Sequence, residues 1–180
     1  MTRFFVVVAY CLLIIFTLPA CSQTAKNTSS GSQSTATEAA TNTKISSVSV
    51  VKVAAQPVQL AGNGSGEATV RITIQPGYHI NANPPTYPYL KATELELPES
   101  EGVSVGFVKY PKPLSLKFAF AEKPLDVYEG ETELKVLLKA AKSSKPGDRS
   151  VNGKLRIQAC DDQVCYPPGS LDVVIPVKIT

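Results

Sequence analysis

The sequence predicts an all-β domain of two packed antiparallel sheets, and three observations predict it. Between residues 47 and 180 several short runs carry an apolar residue at every second position, turn residues separate these runs, and no stretch has a helical stripe of useful length. Seven to nine short strands in about 130 residues, each with one apolar face, are what a β-sandwich requires. The expected type is immunoglobulin-like, without the distant cysteine pair of antibody domains and with no Trp at all. A small β-barrel is the alternative.

Taken in chain order, the first element is an export signal. Arg3 precedes an apolar run from Phe4 to Leu18, which reads as a signal peptide over residues 1–20. The run is fifteen residues long, short of the ~20 needed to span a bilayer, and no later run is longer. The tetrapeptide Leu18-Pro19-Ala20-Cys21 resembles the bacterial lipobox, in which the cysteine thiol receives a diacylglycerol and becomes the new, acylated N-terminus. Two or more acyl chains on one residue anchor stably where a single chain binds marginally. The other reading is an ordinary secretory signal that happens to precede a cysteine, and either way the protein is exported. Ser22 stands where an inner-membrane retention aspartate would stand, which favours the outer membrane.

From Ser22 to Ser46, twelve of twenty-five residues are Ser or Thr and Ile45 is the only large apolar side chain. Such a segment cannot bury enough surface to fold, so 21–46 is expected to be a lipidated cysteine and a disordered tether. As a flexible coil it spans about 25–30 Å on average. The net charge is +3 over the whole chain, loss of Arg3 with the signal leaves about +2, and no basic run suggests a nucleic-acid partner.

The domain of residues 47–180 is then read strand by strand. Val70, Ile72 and Ile74 alternate, as do Val103, Val105 and Phe107, then Leu134, Val136 and Leu138, then Leu155, Ile157 and Ala159. The most regular run is Leu171, Val173, Ile175, Val177 and Ile179, in which Pro176 must sit where its missing N–H is not needed. Turn chemistry lies at Gly62-Asn63-Gly64, Pro76-Gly77, Pro98, Gly130 and Pro146-Gly147-Asp148.

The chain has four cysteines. Cys11 leaves with the signal peptide and Cys21 carries lipid, so Cys160 and Cys165 can pair only with each other. In an exported chain the oxidised pair is the default. Three readings compete for their setting, QACDDQVCYPP at residues 158–168. As a staple, a loop of about six residues contributes only about 2 kcal/mol, against about 4.7 for a loop of a hundred. As a metal clip, two thiols, the single histidine His79 and Asp161 or Asp162 fit no familiar zinc spacing, so neither a metal nor another cofactor is expected.

As a redox couple, the pair needs Cα atoms about 4.4–6.8 Å apart and one sulfur within reach of a partner thiolate. A β-hairpin brings the sulfurs together, with Asp161, Asp162, Gln163 and Val164 as the turn. Tyr166-Pro167-Pro168 stiffens its exit with two residues that donate no backbone hydrogen bond. Asp161 and Asp162 disfavour a thiolate and the turn holds no cation, so the thiols should be poor free nucleophiles.

Three runs in this order, GYHINANPP (77–85), LDVYEG (125–130) and QACDDQVCYPP, resemble the family of N-terminal periplasmic domains of the thiol:disulfide interchange protein DsbD. The resemblance covers nearly the whole block from about 47 to 180. It implies an immunoglobulin-like sandwich whose cysteine pair takes electrons from a thioredoxin-like domain and passes them to periplasmic, Dsb-type oxidoreductases. It also implies that Cys165 forms the intermolecular disulfide, that Cys160 resolves it, and that Tyr128 matches an aromatic residue on a cap loop that shields the pair. The best-known members carry one more residue between the cysteines, so the turn here is tighter. The membrane electron carrier and the thioredoxin-like domain of the full family protein are expected on separate polypeptides.

His79 is expected to be a hydrogen-bonded structural residue rather than a proton-transfer group, and Asn81-Ala82-Asn83-Pro84-Pro85 to shape the sheet end. The leading function is therefore a lipid-anchored thiol–disulfide exchange module that serves exported oxidoreductases or cytochrome-maturation proteins, an oxidoreductase only in the loose sense. The competing function is a non-catalytic immunoglobulin-like binding or assembly lipoprotein with a structural hairpin disulfide.

Overall fold

Alternating Val, Ile and Leu residues demand a pleated surface with one face out of water, and the computed structural model shows where each such face is buried. It describes residues 45–180 apart from residue 101. The predicted signal peptide with Cys11, Cys21 with its predicted lipid, and the predicted tether as far as residue 44 lie outside the described residues. Among the described residues no helix is long and apolar enough to cross a membrane.

A 3₁₀ turn, Ser47–Val50, leads into twelve strands: β1 Val51–Ala55, β2 Val58–Leu60, β3 Ser65–Ile74, β4 His79–Asn81, β5 Glu94–Glu96, β6 Val103–Lys109, β7 Leu114–Leu116, β8 Leu125–Tyr128, β9 Glu131–Ala140, β10 Gly147–Ile157, β11 Ala159–Cys160 and β12 Gly169–Ile179. They form three four-stranded sheets, ordered β1-β3-β9-β6, β2-β12-β10-β5 and β11-β4-β8-β7. The β2–β12 ladder is parallel and the others are antiparallel.

The first two sheets make the immunoglobulin-like sandwich. Val70, Ile72, Leu134, Val136 and Leu138 from one sheet share a single buried cluster with Val151, Leu155, Val173 and Ile175 from the other. Each such side chain contributes about 1.5–3 kcal/mol by leaving water. The third sheet goes beyond the two expected. It arises because the run Leu155, Ile157, Ala159 does not stay in one ladder: β10 ends at Ile157 and the chain passes through Gln158 into β11, which pairs with β4 instead.

One predicted face is reversed. Phe107 is 63 % exposed because the β6–β9 register shifts between Val105 and Val108. This bulge flips the alternation, so Val108 rather than Phe107 packs on the core. The turn sites fall at junctions, except that Gly147 and Asp148 already pair with β12 as the start of β10. Asn63, Gly77 and Gly130 adopt positive φ of 60°, 81° and 60°, a region glycine enters without a Cβ clash and asparagine tolerates. Pro176 is accommodated too. Thr180 donates its N–H to Leu60 of β2, so by alternation Pro176 turns its nitrogen to the same side, where the β2 ladder begins only at Val177.

Candidate functional site

Two cross-strand hydrogen bonds build the cysteine hairpin. The Asp161 N–H donates to the Val164 carbonyl at 3.0 Å and the Tyr166 N–H to the Ala159 carbonyl at 2.8 Å. Cys160 and Cys165 lie opposite each other between these bonds, as a non-hydrogen-bonded pair, the closer kind in an antiparallel ladder. Their Cα atoms are 3.9 Å apart and their sulfurs are joined as a disulfide. This is closer than the span expected from disulfide geometry, in keeping with a turn of only four residues. Cys160 is fully buried, whereas Cys165 is partly exposed. It borders a groove of about 400 Å³ whose other walls include Tyr89, Leu90, Phe120, Gln158 and Val164.

Pleating sorts the surroundings onto two faces. Cys160 pairs with His79 across the β11–β4 ladder, while Ala159 pairs with Ile80, and Ile80 pairs in turn with Tyr128 of β8. Ala159, Ile80 and Tyr128 face the main core. Cys160 and His79 therefore face the other way. Tyr128, expected to shield the pair, is instead 2 % exposed within that core, where its hydroxyl accepts the Asn83 N–H at 3.2 Å and burial raises its pKa. The strand period places it on the wrong face for a cap.

Two aromatic residues outside the sequence expectations lie beside the site instead. Phe118 stacks on His79 with ring centroids 4.1 Å apart and belongs to a second buried cluster with Leu90, Leu125 and Val127. Phe120 stacks on Phe118 at 5.6 Å and reaches the groove beside Cys165. The run Lys117-Phe118-Ala119-Phe120 between β7 and β8 was the available signal, two aromatics at period two outside any predicted strand.

The turn's charges are organised unequally. The Asp161 carboxylate accepts the backbone N–H groups of Gln163 and Val164, each at 2.8 Å, and the Tyr166 hydroxyl. These donors, Tyr166 first, hold its carboxyl below the ordinary carboxylate range, and the same bond pushes the Tyr166 phenol up to about 12. The Tyr166 ring also lies 6.1 Å from that of Tyr78. Asp162 projects to solvent. His79 is 1 % exposed, and burial lowers its pKa against the opposing influence of Asp162 and Asp161.

The hairpin is braced at its base. The Ser47 hydroxyl donates to the Pro167 carbonyl at 2.6 Å and accepts the Ala159 N–H at 2.9 Å, so one buried oxygen ties both arms together across 112 and 120 positions of sequence. The 3₁₀ turn that carries Ser47 comes so near the second arm that a Cβ on Gly169 would meet Val48 at 2.6 Å. Gln158 accepts the Lys91 N–H at 3.0 Å and an Asn81 amide hydrogen at 3.2 Å. Thr93 binds the Asn81 carbonyl through its hydroxyl at 2.6 Å. The Asn81–Asn83 stretch thus holds the loop after β4 against the cysteine hairpin. Among the described residues no cluster of three or more His, Cys, Asp or Glu is placed to hold a metal.

Fold and site together define an immunoglobulin-like sandwich with a disulfide on a hairpin at one end, one sulfur buried and the other at a groove. The chain belongs to the family described as the N-terminal domain of the thiol:disulfide interchange protein DsbD, which matches residues 47–175. No curated protein sequence matches the chain. Among solved structures, the N-terminal periplasmic domain of ScsB from Proteus mirabilis aligns with a TM-score of 0.52 at 18 % identity, over 70 % of this chain and 46 % of that one. This likeness shows the fold, and the chain spans less than half of that relative's length. The reduced DsbD N-terminal domain of Neisseria meningitidis aligns at 19 % identity with a TM-score of 0.42, over 70 % of this chain and 83 % of that one.

Proposed function

We propose that the protein is an exported, lipid-anchored thiol–disulfide exchange module that relays reducing equivalents through Cys160 and Cys165. The observation that carries this reading is the asymmetry of the pair. A partner thiolate can reach a disulfide only along the axis of its S–S bond and at an accessible sulfur. Cys165 is partly exposed at the groove and Cys160 is buried. Attack therefore falls on Cys165, Cys160 leaves as the thiolate, and the reverse sequence resolves the mixed disulfide. Phe118 and Phe120 cover the buried side and keep small oxidants and thiols from Cys160. Membership of the DsbD N-terminal family supports the same chemistry.

The electron donor in this reading is a thioredoxin-like domain fed by a membrane electron carrier on another polypeptide. The acceptors are periplasmic oxidoreductases or cytochrome-maturation proteins. The lipobox-like Leu18-Pro19-Ala20-Cys21 and the Ser/Thr-rich tether support a domain that stays mobile near a membrane, the outer one being favoured.

The test is the equilibrium reduction potential of the Cys160–Cys165 pair, titrated against a thiol redox buffer with alkylation and mass detection. Exchange proteins lie between about −120 and −270 mV, while structural disulfides fall below about −300 mV. A value in the first range is expected. A value in the second would leave a stapled sandwich, the binding or assembly lipoprotein of the competing reading.

A further inference from the structure

A histidine in an apolar site is costly unless its ring nitrogens find partners. His79 is 1 % exposed, Phe118 covers its ring, and its buried Nε2 has no hydrogen-bond partner among the described residues. It lies directly across the β4–β11 ladder from Cys160, on the same face. Directly opposed residues have Cβ atoms about 4.5–5.5 Å apart, within reach of an imidazole and a thiol. In the oxidised state Cys160 has no thiol hydrogen to offer, because its sulfur is bonded to Cys165. A buried nitrogen without a partner, on a side chain paired across the ladder with a residue that gains a proton only on reduction, is the arrangement of a base waiting for its acid.

We propose that His79 is the proton-transfer residue for Cys160, an inference that rests on the exchange reading above. When Cys165 is held in a mixed disulfide, the Cys160 thiol passes its proton to the neutral imidazole. The thiolate formed attacks the Cys165 sulfur, the Cys160–Cys165 bond forms as the bond to the partner sulfur breaks, the partner leaves as a thiolate, and the imidazolium releases its proton to that thiolate or to water. In the opposite direction the imidazole takes a proton from the partner thiol or from water, the partner thiolate attacks Cys165, the electron pair of the broken bond goes to Cys160, and the imidazolium passes the proton on to it. The two directions balance, and neither needs an external oxidant.

The surroundings suit this role. Burial keeps the imidazole in its neutral, basic form near pH 7, and the carboxylates of Asp161 and Asp162 oppose that shift without overcoming it. They also favour the transient imidazolium. From the loop before β8 the ring meets the uncharged Phe118. Along β8 the next ionisable side chain past the paired residues is Glu129, which is exposed. The structural role expected for His79 from sequence leaves its Nε2 unexplained, whereas proton transfer uses it.

The test is stopped-flow reaction of the reduced full chain in detergent with 5,5′-dithiobis(2-nitrobenzoate). The first thionitrobenzoate is released when Cys165 attacks the reagent, and the second when Cys160 resolves the mixed disulfide. His79→Phe, which preserves the ring stack, is expected to slow the second release at least about tenfold at pH 7, a general-base effect at the low end of the usual range. The first release should change less than about twofold. In the parent chain the second rate should rise with pH through an inflexion below 6.5 that the variant lacks. His79→Gln, which retains hydrogen bonding without a base, should behave as His79→Phe does and carries the test if the Phe variant does not fold. Resolution at the parent rate in either folded variant, with the inflexion intact, overturns the assignment of His79. A parent chain that releases one equivalent and never re-forms its disulfide overturns the exchange reading itself.

Discussion

The Tyr166 hydroxyl donates to the Asp161 carboxylate across the base of the cysteine turn, so the residue that follows the second cysteine anchors the residue that follows the first. The same carboxylate caps two backbone N–H groups of the turn. Its folded pKa lies below the unfolded value, so its contribution to stability is present above about pH 4 and is lost as pH falls through the folded value. Hydrogen exchange at the Gln163 and Val164 amides should therefore accelerate below about pH 4, and Tyr166→Phe should move that acceleration to higher pH. Unchanged protection in the variant would show that the phenol does not hold the turn.

Asp162 is exposed beside the pair, and the hydrogen bonds that organise the turn go to the Asp161 carboxylate. Asp162→Asn should ease formation of the Cys165 thiolate and speed its attack on a small disulfide roughly two- to fivefold at pH 7. The salt dependence of that rate should weaken in parallel. A slower variant would contradict the electrostatic account.

Ser47 is fully buried and bridges the two arms of the hairpin. Ser47→Ala strands the Ala159 N–H and should cost about 1–3 kcal/mol in urea unfolding. It should also raise exchange of the Ala159 amide above that of the sandwich core. A loss of stability without this local loosening would place the bridge's importance elsewhere.

His79 gives the fold an acid weakness. Burial sets its pKa below the ordinary 6.5, so the unfolded chain binds its proton more readily than the folded one. The stability held by the neutral ring is full above about pH 6.5 and declines as pH falls through the folded value. Thermal unfolding should show a lower Tm at pH 5 than at pH 7.5, and His79→Phe should flatten that difference.

Phe118 covers His79 and packs with Leu90, Leu125 and Val127. Phe118→Ala should cost about 3–5 kcal/mol and, in the surviving folded protein, should increase several-fold the rate at which a small alkylating reagent labels Cys160 after reduction. Labelling at the parent rate would mean that Phe118 packs without shielding.

Much of the sandwich was legible because burial acts locally on a strand. Val70 and Ile72, Leu134 to Leu138 and Val173 to Ile179 are buried at every second position, as their spacing requires. Phe107 was misread because a bulge adds a residue without changing the apolar pattern. The third sheet was missed because nothing in Leu155-Arg156-Ile157-Gln158-Ala159 marks the point where the chain changes partners. At the site, the pairing of Cys160 with Cys165 followed from setting aside Cys11 and Cys21, and the hairpin between them from the strand runs on either side of the turn. Tyr128 went to the wrong face because a family likeness fixes a position along the chain, while the pleat fixes the side. Ser47, Phe118 and Phe120 act over separations of about forty to more than a hundred residues, where periodicity carries no information.

The cysteine hairpin links β10, by way of Gln158 and β11, to β12, and β10 and β12 pair along their whole length from Ile157–Gly169 to Gly147–Ile179. A protein caught in a mixed disulfide at Cys165 hangs from a single covalent point at the tip of that ladder. Thermal tugging by such a passenger is directed along the two longest strands and into the most deeply rooted part of the sandwich. In the exchange reading β10 and β12 would serve as a mechanical stem, on which a second protein could swing for the lifetime of the linkage without prying the domain apart.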